Sequence, residues 1–382
     1  MPKINADSLE QLQQRRSAKW RGFESDVLPL PVAEMDFPIA APIKHVLVDM
    51  VQRSDVGYGG IIPEFGLAFA KYAREVWNWE LDPEYVRLAT DVGVAGVEVL
   101  RVFAQPGDKV VINSPVYHNF YNWIKEAQCD ALDVPMVNDG QGTWTLDFDK
   151  LEQAFADGAK AYILCSPHNP MGTVFTRDEL VRIAELADKY NVVVISDEIH
   201  APLTFDDSFV PFLAVSDSAR KVGVCITAAS KSWNLAGLKC AQIISGGDEM
   251  HVRLNALPIS TQWRASILGA WASVAAYNDG REWLADVMDS LRANQQFLAE
   301  QIAIHLPNAR YFISNSTYLA WIDLNAYGID NPAKLLVEKG RVAFNDGADF
   351  GPDGTGYIRL NFATSQEILA EAIKRMADVL EA

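Results

Sequence analysis

The chain lacks most of the signals that would point at once to a chemistry. No apolar run in its 382 residues approaches the roughly 18–20 needed to cross a bilayer, which excludes a helical membrane span. The opening stretch MPKINADSLEQLQQRR has no apolar segment of the kind a secretory leader carries, so a reducing cytoplasm is the expected compartment. Cysteine is scarce. Cys129, Cys165, Cys225 and Cys240 form no C-x-x-C pair, and Cys165 and Cys225 sit in apolar runs that suit small buried thiols. The 6 histidines are scattered, so no metal site is expected. Positive charge is in deficit, with 33 Lys+Arg against 50 Asp+Glu and a formal charge of −17. Such a field repels phosphate backbones and anionic lipid, so neither nucleic acid nor membrane is expected as a partner. The phosphate loop G-x-x-x-x-G-K, the dinucleotide turn G-x-G-x-x-G, the metalloprotease H-E-x-x-H and the nucleophile elbow G-x-S-x-G are all missing.

What is there is an ordinary globular composition, 49% apolar and 22% charged, with 18 Pro and 24 Gly spread along the chain. Disorder, collagen and coiled coil are thereby excluded, and the length suits a large domain with a smaller one appended. The start reads as a short helix, Asp7 to Arg16, capped by Asp7 or Ser8, then a proline-rich extended arm, LPLPVAEMDFPIAAP. From about Pro42, short strands that are apolar on both faces (Val110–Ile112, Ala161–Cys165, Val192–Ile195, Val222–Thr227) alternate with helical patterns such as DELVRIAELADKY. That alternation predicts an α/β fold, a mostly parallel central sheet sandwiched by helices. Near Asn278 the pattern changes to a long helix, Glu282 to His305, then short strands around Val342 and Ile358. A closing helix follows from about Ser365, with Thr364 and Glu367 as a capping box. This predicts a smaller α+β C-terminal domain. The expected division is an arm at 1–41, a large domain at 42–280 and a small one at 281–382.

Ligands of an open parallel sheet bind beyond the carboxyl ends of its strands. The four strands are followed by Asn113-Ser-Pro-Val-Tyr117, Ser166-Pro-His-Asn169-Pro-Met-Gly172, Ser196-Asp197-Glu198-Ile-His200 and Ala-Ala-Ser230-Lys231-Ser232. Singly these residues are bland: an aspartate can cap a helix, a lysine can be solvated, Asn169 can be a turn residue and Tyr117 can be core. Jointly they suit an aldehyde cofactor such as pyridoxal phosphate. A lysine can hold such a group as a Schiff base, a carboxylate can keep its pyridine nitrogen protonated, an asparagine can donate to its phenolate oxygen and an aromatic side chain can stack on its ring. The Gly93-Val94-Ala95-Gly96 turn, ahead of the helix carrying Leu100 and Phe103, offers backbone N–H groups to a phosphate.

These motifs, with Ser230-Lys231-Ser232-Trp-Asn-Leu-Ala-Gly237, resemble the fold-type-I pyridoxal-phosphate enzymes of the aminotransferase class I/II superfamily. The Asp197-Glu-Ile-His200 motif, the leader Lys19-Trp20 … Val32-Ala-Glu-Met-Asp36-Phe37 and Gly57-Tyr58-Gly59 resemble its cystathionine β-lyase or C–S lyase branch, called MalY/PatB. The likeness runs from about Lys19 to the closing helix. It implies that Lys231 holds the cofactor as a Schiff base and removes the substrate α-proton, that Asp197 pairs with the ring nitrogen, that Asn169 reaches the phenolate oxygen and that Tyr117 stacks on the ring. By the same likeness, Arg359 in Tyr357-Ile-Arg-Leu-Asn361 grips the substrate carboxylate and His200 lies beside the cofactor. It also implies a homodimer in which Tyr58 reaches the cofactor phosphate of the other subunit. Without it, Arg359 could equally face solvent, although alternation puts Arg359 and Asn361 opposite Ile358, Leu360 and Phe362. Many relatives carry Ser or Thr three residues before the lysine and Arg eight after it. Here Ala228 and Lys239 stand there, so the phosphate cradle would lean on Ser230, Gly93, Val94, Ala95 and the partner's tyrosine. The implied reaction is β-elimination of a thioether amino acid to a thiol, pyruvate and ammonia. An aminotransferase using the same residues is the alternative. Trp233, Trp263 and Tyr318 could line the side-chain pocket or lie in the core, with the core preferred for Trp263.

Overall fold

The computed structural model describes residues 4–382. A seven-stranded sheet dominates it: β1 (Val86–Ala89), β2 (Lys109–Ile112), β3 (Asp130–Asp133), β4 (Ala161–Cys165), β5 (Val193–Asp197), β6 (Gly223–Thr227) and β7 (Ala241–Ser245). Their order across the sheet is β1-β7-β6-β5-β4-β2-β3. From β6 to β3 every pairing is parallel, while β7 runs antiparallel to both β6 and β1. The sheet is therefore mostly parallel, as the two-sided apolar strands require.

Every residue of β4, β5 and β6 is buried, and alternate residues serve opposite layers. Ala161, Ile163 and Cys165 join the core beneath helix Val92–Phe103, with Val99 and Leu100. Tyr162 and Leu164 face the other way, onto Leu180, Ile183 and Ala187 of helix Arg177–Tyr190. Each fully buried valine, leucine or isoleucine among them contributes roughly 1.5–3 kcal/mol of transfer free energy, so the central strands are fixed in register by burial on both faces. The expected sequence pattern finds these strands but not β1, β3 or β7. β3, Asp-Ala-Leu-Asp, is a half-exposed edge strand and has no apolar signature to read.

A second sheet of four antiparallel strands, in the order β8-β9-β11-β10, comprises β8 (Arg310–Tyr311), β9 (Leu319–Asp323), β10 (Asn345–Asp346) and β11 (Tyr357–Asn361). Helix Arg281–His305 and helix Gln366–Leu380 pack together beside it. The last helix is capped by Ser365, whose hydroxyl accepts from Ile368 N at 3.2 Å. Thr364 is not the cap: it is buried one residue too early, so the expected Thr364–Glu367 box does not form. At the other end the helix is only Leu9–Gln13, with Ser8 and Gln11 as a reciprocal box.

The arm between them is extended and built into both units. Leu28–Pro29 pairs in parallel with Val342–Ala343, so Val342 belongs to the arm and not to the small sheet. Asn361 N donates to Leu30 O at 2.9 Å, and Asp36 N to Ala363 O at 2.8 Å. The arm's far end is pinned by Asp36, which accepts from Lys19 Nζ at 2.8 Å and Trp20 Nε1 at 2.9 Å, with both charged side chains fully buried. Trp263 is not core. It ends the short helix Ile259–Trp263, is half exposed, and its ring lies 6.5 Å from that of Tyr58. No helix among the described residues is long and apolar enough to cross a membrane.

Candidate active site

The parallel strands deliver their following loops to one crest, and those loops wall a cleft of about 540 Å³. Tyr117 comes from the loop after β2, Asn169 from that after β4, Asp197 from the last position of β5, and Ser230 and Lys231 from the loop after β6. Register explains the convergence: Cys165 pairs with Asp197 and Asp197 with Ile226, so three strand ends lie level. Gly172 lets the Asn169 loop turn. It has φ +70°, and a Cβ there would lie 2.6 Å from Ser316 O. Ser316 in turn donates to Gly172 O at 2.9 Å, tying the loop to the second unit.

That second unit supplies the opposite wall. Arg359 on β11 is buried, not solvated, because both faces of this strand are covered. Its guanidinium donates to Asn169 Oδ1 at 3.0 Å, Asn345 Oδ1 at 2.6 Å and Pro31 O at 3.0 Å, and stands 4.9 Å from the Phe350 ring centroid. No carboxylate is among these partners, and the buried Nε has no partner among the described residues. The arm contributes a row of carbonyls. Pro31 O takes Arg359, Val32 O and Glu34 O take Asn361 Nδ2 at 2.7 Å each, and Ala33 O takes both Lys231 Nζ at 2.9 Å and Tyr318 OH at 3.1 Å. Tyr318 thus sits in the core with only its hydroxyl at the site, whereas Trp233 is fully interior and donates to Gly280 O at 3.0 Å.

Burial sets the charges. It lowers the Lys231 amine to about 8, helped by the Arg359 charge and opposed by Asp197. It raises the Asp197 carboxyl to about 7, against a backbone bond from Ile199 N at 3.1 Å. His200 is pushed down to about 3, so its imidazole is neutral, and its buried Nδ1 has no partner among the described residues. Tyr117 is held above its ordinary value by burial, and its hydroxyl accepts from Asn119 Nδ2 at 2.7 Å. A lysine that deprotonates near neutrality, facing a buried carboxylate and a buried guanidinium, can accept a proton from a bound amino acid.

The phosphate-cradle expectation needs correction. Gly93 to Gly96 do not precede a helix; they are its first turns, because Asp91 is the cap and its Oδ1 accepts from Val94 N at 2.8 Å. Ala95 N is bonded to Asp91 O at 2.9 Å. Gly93 lines the cleft, but Val94 and Ala95 do not. Lys239 lines it too, paired with Asp91 Oδ2 at 2.9 Å, and Ala228 and Ser230 are nearby. Tyr58 is outside this chain's cleft, 89% exposed. The expected residues brought together are therefore Lys231, Asp197, Asn169, Tyr117, His200, Ser230, Gly93, Lys239 and Arg359. Asp91, His118 and Asn345 line the same cleft and were missed. Asp91 and Asn345 carry no motif, while His118 follows the singled-out Tyr117 directly.

The model of the aminotransferase class I and II family matches residues 26–376. The chain belongs to that family. Cystathionine β-lyase of Corynebacterium glutamicum is 36% identical over 97% of this chain and 99% of that protein. Among solved structures, a candidate pyridoxal-phosphate-dependent β-cystathionase from Corynebacterium diphtheriae superposes with a TM-score of 0.94, at 36% identity and 99% coverage of both chains. Cystalysin from Treponema denticola, which contains pyridoxal 5′-phosphate, superposes at 0.92 with 27% identity, covering 99% of this chain and 98% of its own.

Proposed function

We propose that this chain is a pyridoxal-phosphate-dependent carbon–sulfur β-lyase. Its substrates would be L-cystathionine or related S-substituted cysteines, cleaved to a thiol, pyruvate and ammonia. The carrying observation is the buried Lys231 amine, lowered to about 8, in one cleft with Asp197, Asn169, Tyr117 and Arg359. The cleft fits the cofactor in size, lying within the roughly 300–1,000 Å³ usual for such sites. It also fits in chemistry: Asp197 is buried at the cleft with Ile199 N donating to its Oδ1, and the buried His200 Nδ1 has no partner among the described residues.

Lys231 would hold the group through its amine, Asp197 its ring nitrogen, Asn169 its phenolate oxygen and Tyr117 its ring face. Gly93, Ser230 and Lys239 would hold its phosphate. When bound, pyridoxal phosphate supplies an electron sink conjugated with the substrate amine. Arg359 grips the substrate carboxylate, its planar fork already oriented by Asn169, Asn345 and Pro31 O. Lys231 Nζ, steered by Ala33 O, takes the α-proton. Its low proton affinity makes the neutral, accepting form available near pH 8. The arm's carbonyls orient both the cation and the base.

The large domain at 42–280 would carry Lys231, Asp197, Asn169 and Tyr117, the small one at 281–382 Arg359, and the arm at 1–41 the carbonyls that meet Lys231 and Arg359. The active form would be a homodimer. Tyr58 and Ile61 stand 89% and 83% exposed beside Trp263, an apolar surface suited to a second copy. Tyr58 would reach that copy's phosphate. The Lys231→Ala variant tests the reading. Pyruvate release from L-cystathionine is lost while the thermal midpoint of the chain is retained; retained release would overturn it.

A further inference from the structure

His118 is unused by everything above, yet it lines the cleft beside Tyr117. It stands at the cap position of helix Asn119–Glu126, but its side chain makes no capping bond and its φ and ψ are helical, at −55° and −27°. Nδ1 is buried with no hydrogen-bond partner among the described residues. The imidazole packs against two rings, 5.0 Å from Tyr117 and 5.6 Å, edge to face, from Phe350. Phe350 also carries the Arg359 guanidinium, 4.9 Å from its ring. A buried ring nitrogen without a partner costs free energy, so packing alone gives no reason for Nδ1 to be there. The site contains a reason for the nitrogens. Tyr117 and His118 line one wall of the cleft onto which Lys231 and Arg359 also open, so a β-substituent directed along that wall would meet the imidazole.

We propose that His118 is the residue that receives the departing sulfur, donating its N–H hydrogen to the thiolate as the carbon–sulfur bond breaks. This rests on the lyase reading. The Cβ–S bond breaks with its electron pair going to sulfur, and the pair left by the α-proton becomes the Cα–Cβ double bond. Lys231 keeps the α-proton, and water protonates the released thiolate, so His118 begins and ends neutral. Burial, aided by Arg359 and opposed by Asp349, holds this imidazole below its ordinary value, which suits a hydrogen-bond donor and not an acid.

The test compares leaving groups on the cofactor-loaded enzyme. L-cystathionine expels a thiolate, whose charge a donor stabilises, whereas β-chloro-L-alanine expels chloride, which needs no such help. His118→Phe keeps the ring packing and removes both nitrogens. The ratio of kcat/KM for L-cystathionine to that for β-chloro-L-alanine then falls by roughly 10- to 100-fold, the size of one charge-assisted hydrogen bond. His118→Asn, which retains a donor, holds the ratio closer to that of the unmodified enzyme. An unchanged ratio in His118→Phe, or an equal loss on both substrates, overturns the proposal. Failure of the unmodified enzyme to release any thiol would instead strike the lyase reading, so the two failures are distinguishable.

Discussion

Replacing Asp36 with asparagine isolates the charge that anchors the arm. The carboxylate is fully buried, 2.8 Å from Lys19 Nζ and 2.9 Å from Trp20 Nε1. Asparagine preserves the shape and the bond to Trp20 but leaves the buried ammonium with little besides Glu34 O, at 3.1 Å. Breaking a buried pair in this way costs about 3–5 kcal/mol, because the remaining charge is neither neutralised nor hydrated. Against a total stability of about 5–15 kcal/mol that is a large fraction. Removing both charges, in Lys19→Met with Asp36→Asn, leaves no such charge and costs distinctly less than the sum of the single changes. Urea unfolding followed by tryptophan fluorescence gives the cycle, with a coupling above about 2 kcal/mol expected. A coupling under about 0.5 kcal/mol would refute the reasoning. Because Ala33 O meets Lys231 only three residues from this anchor, Asp36→Asn should also lower kcat/KM.

Three further outcomes follow from the site. Lys231, with its proton affinity lowered by burial, gains its neutral form as pH rises through about 8 instead of 10.5, so in the cofactor-free chain its reductive alkylation by a small aldehyde is half-maximal near pH 8; a midpoint above 10 would contradict the burial argument. Arg359→Lys loses the fork that three oxygens orient, and kcat/KM should fall roughly 10- to 100-fold, mostly through KM. In the proposed homodimer, where Tyr58 reaches the other copy's phosphate, Tyr58→Phe should weaken pyridoxal phosphate binding, measured by absorbance titration of the cofactor-free chain, without changing the thermal midpoint of that chain.

The legible parts of the molecule were those with a repeating physical cause. β4, β5 and β6 are buried on both faces and announce themselves as short apolar runs, and the polar residues after them mark the crest. Lys231, Asp197, Asn169 and Tyr117 are among those polar residues, and they line one cleft. The misses have causes of equal simplicity. The Gly93 segment reads as a turn because its glycines suggest one, but Asp91 starts the helix earlier by capping Val94. Trp263 is expected in the core but stands half exposed at the end of a short helix. Residue type alone does not tell a core indole from one packed against a surface ring such as Tyr58. The row of carbonyls from Pro31 to Glu34 could not be read at all, since main-chain oxygens leave no trace in residue type and their use depends on contacts more than 190 positions away.

The central claim is most directly tested by incubating the purified, cofactor-loaded protein with L-cystathionine and no keto acid, following pyruvate and free thiol together. A β-lyase releases the two in equal amounts from the first turnovers. No release, followed by formation of a new amino acid once a 2-keto acid is added, would contradict the account and make the chain an aminotransferase.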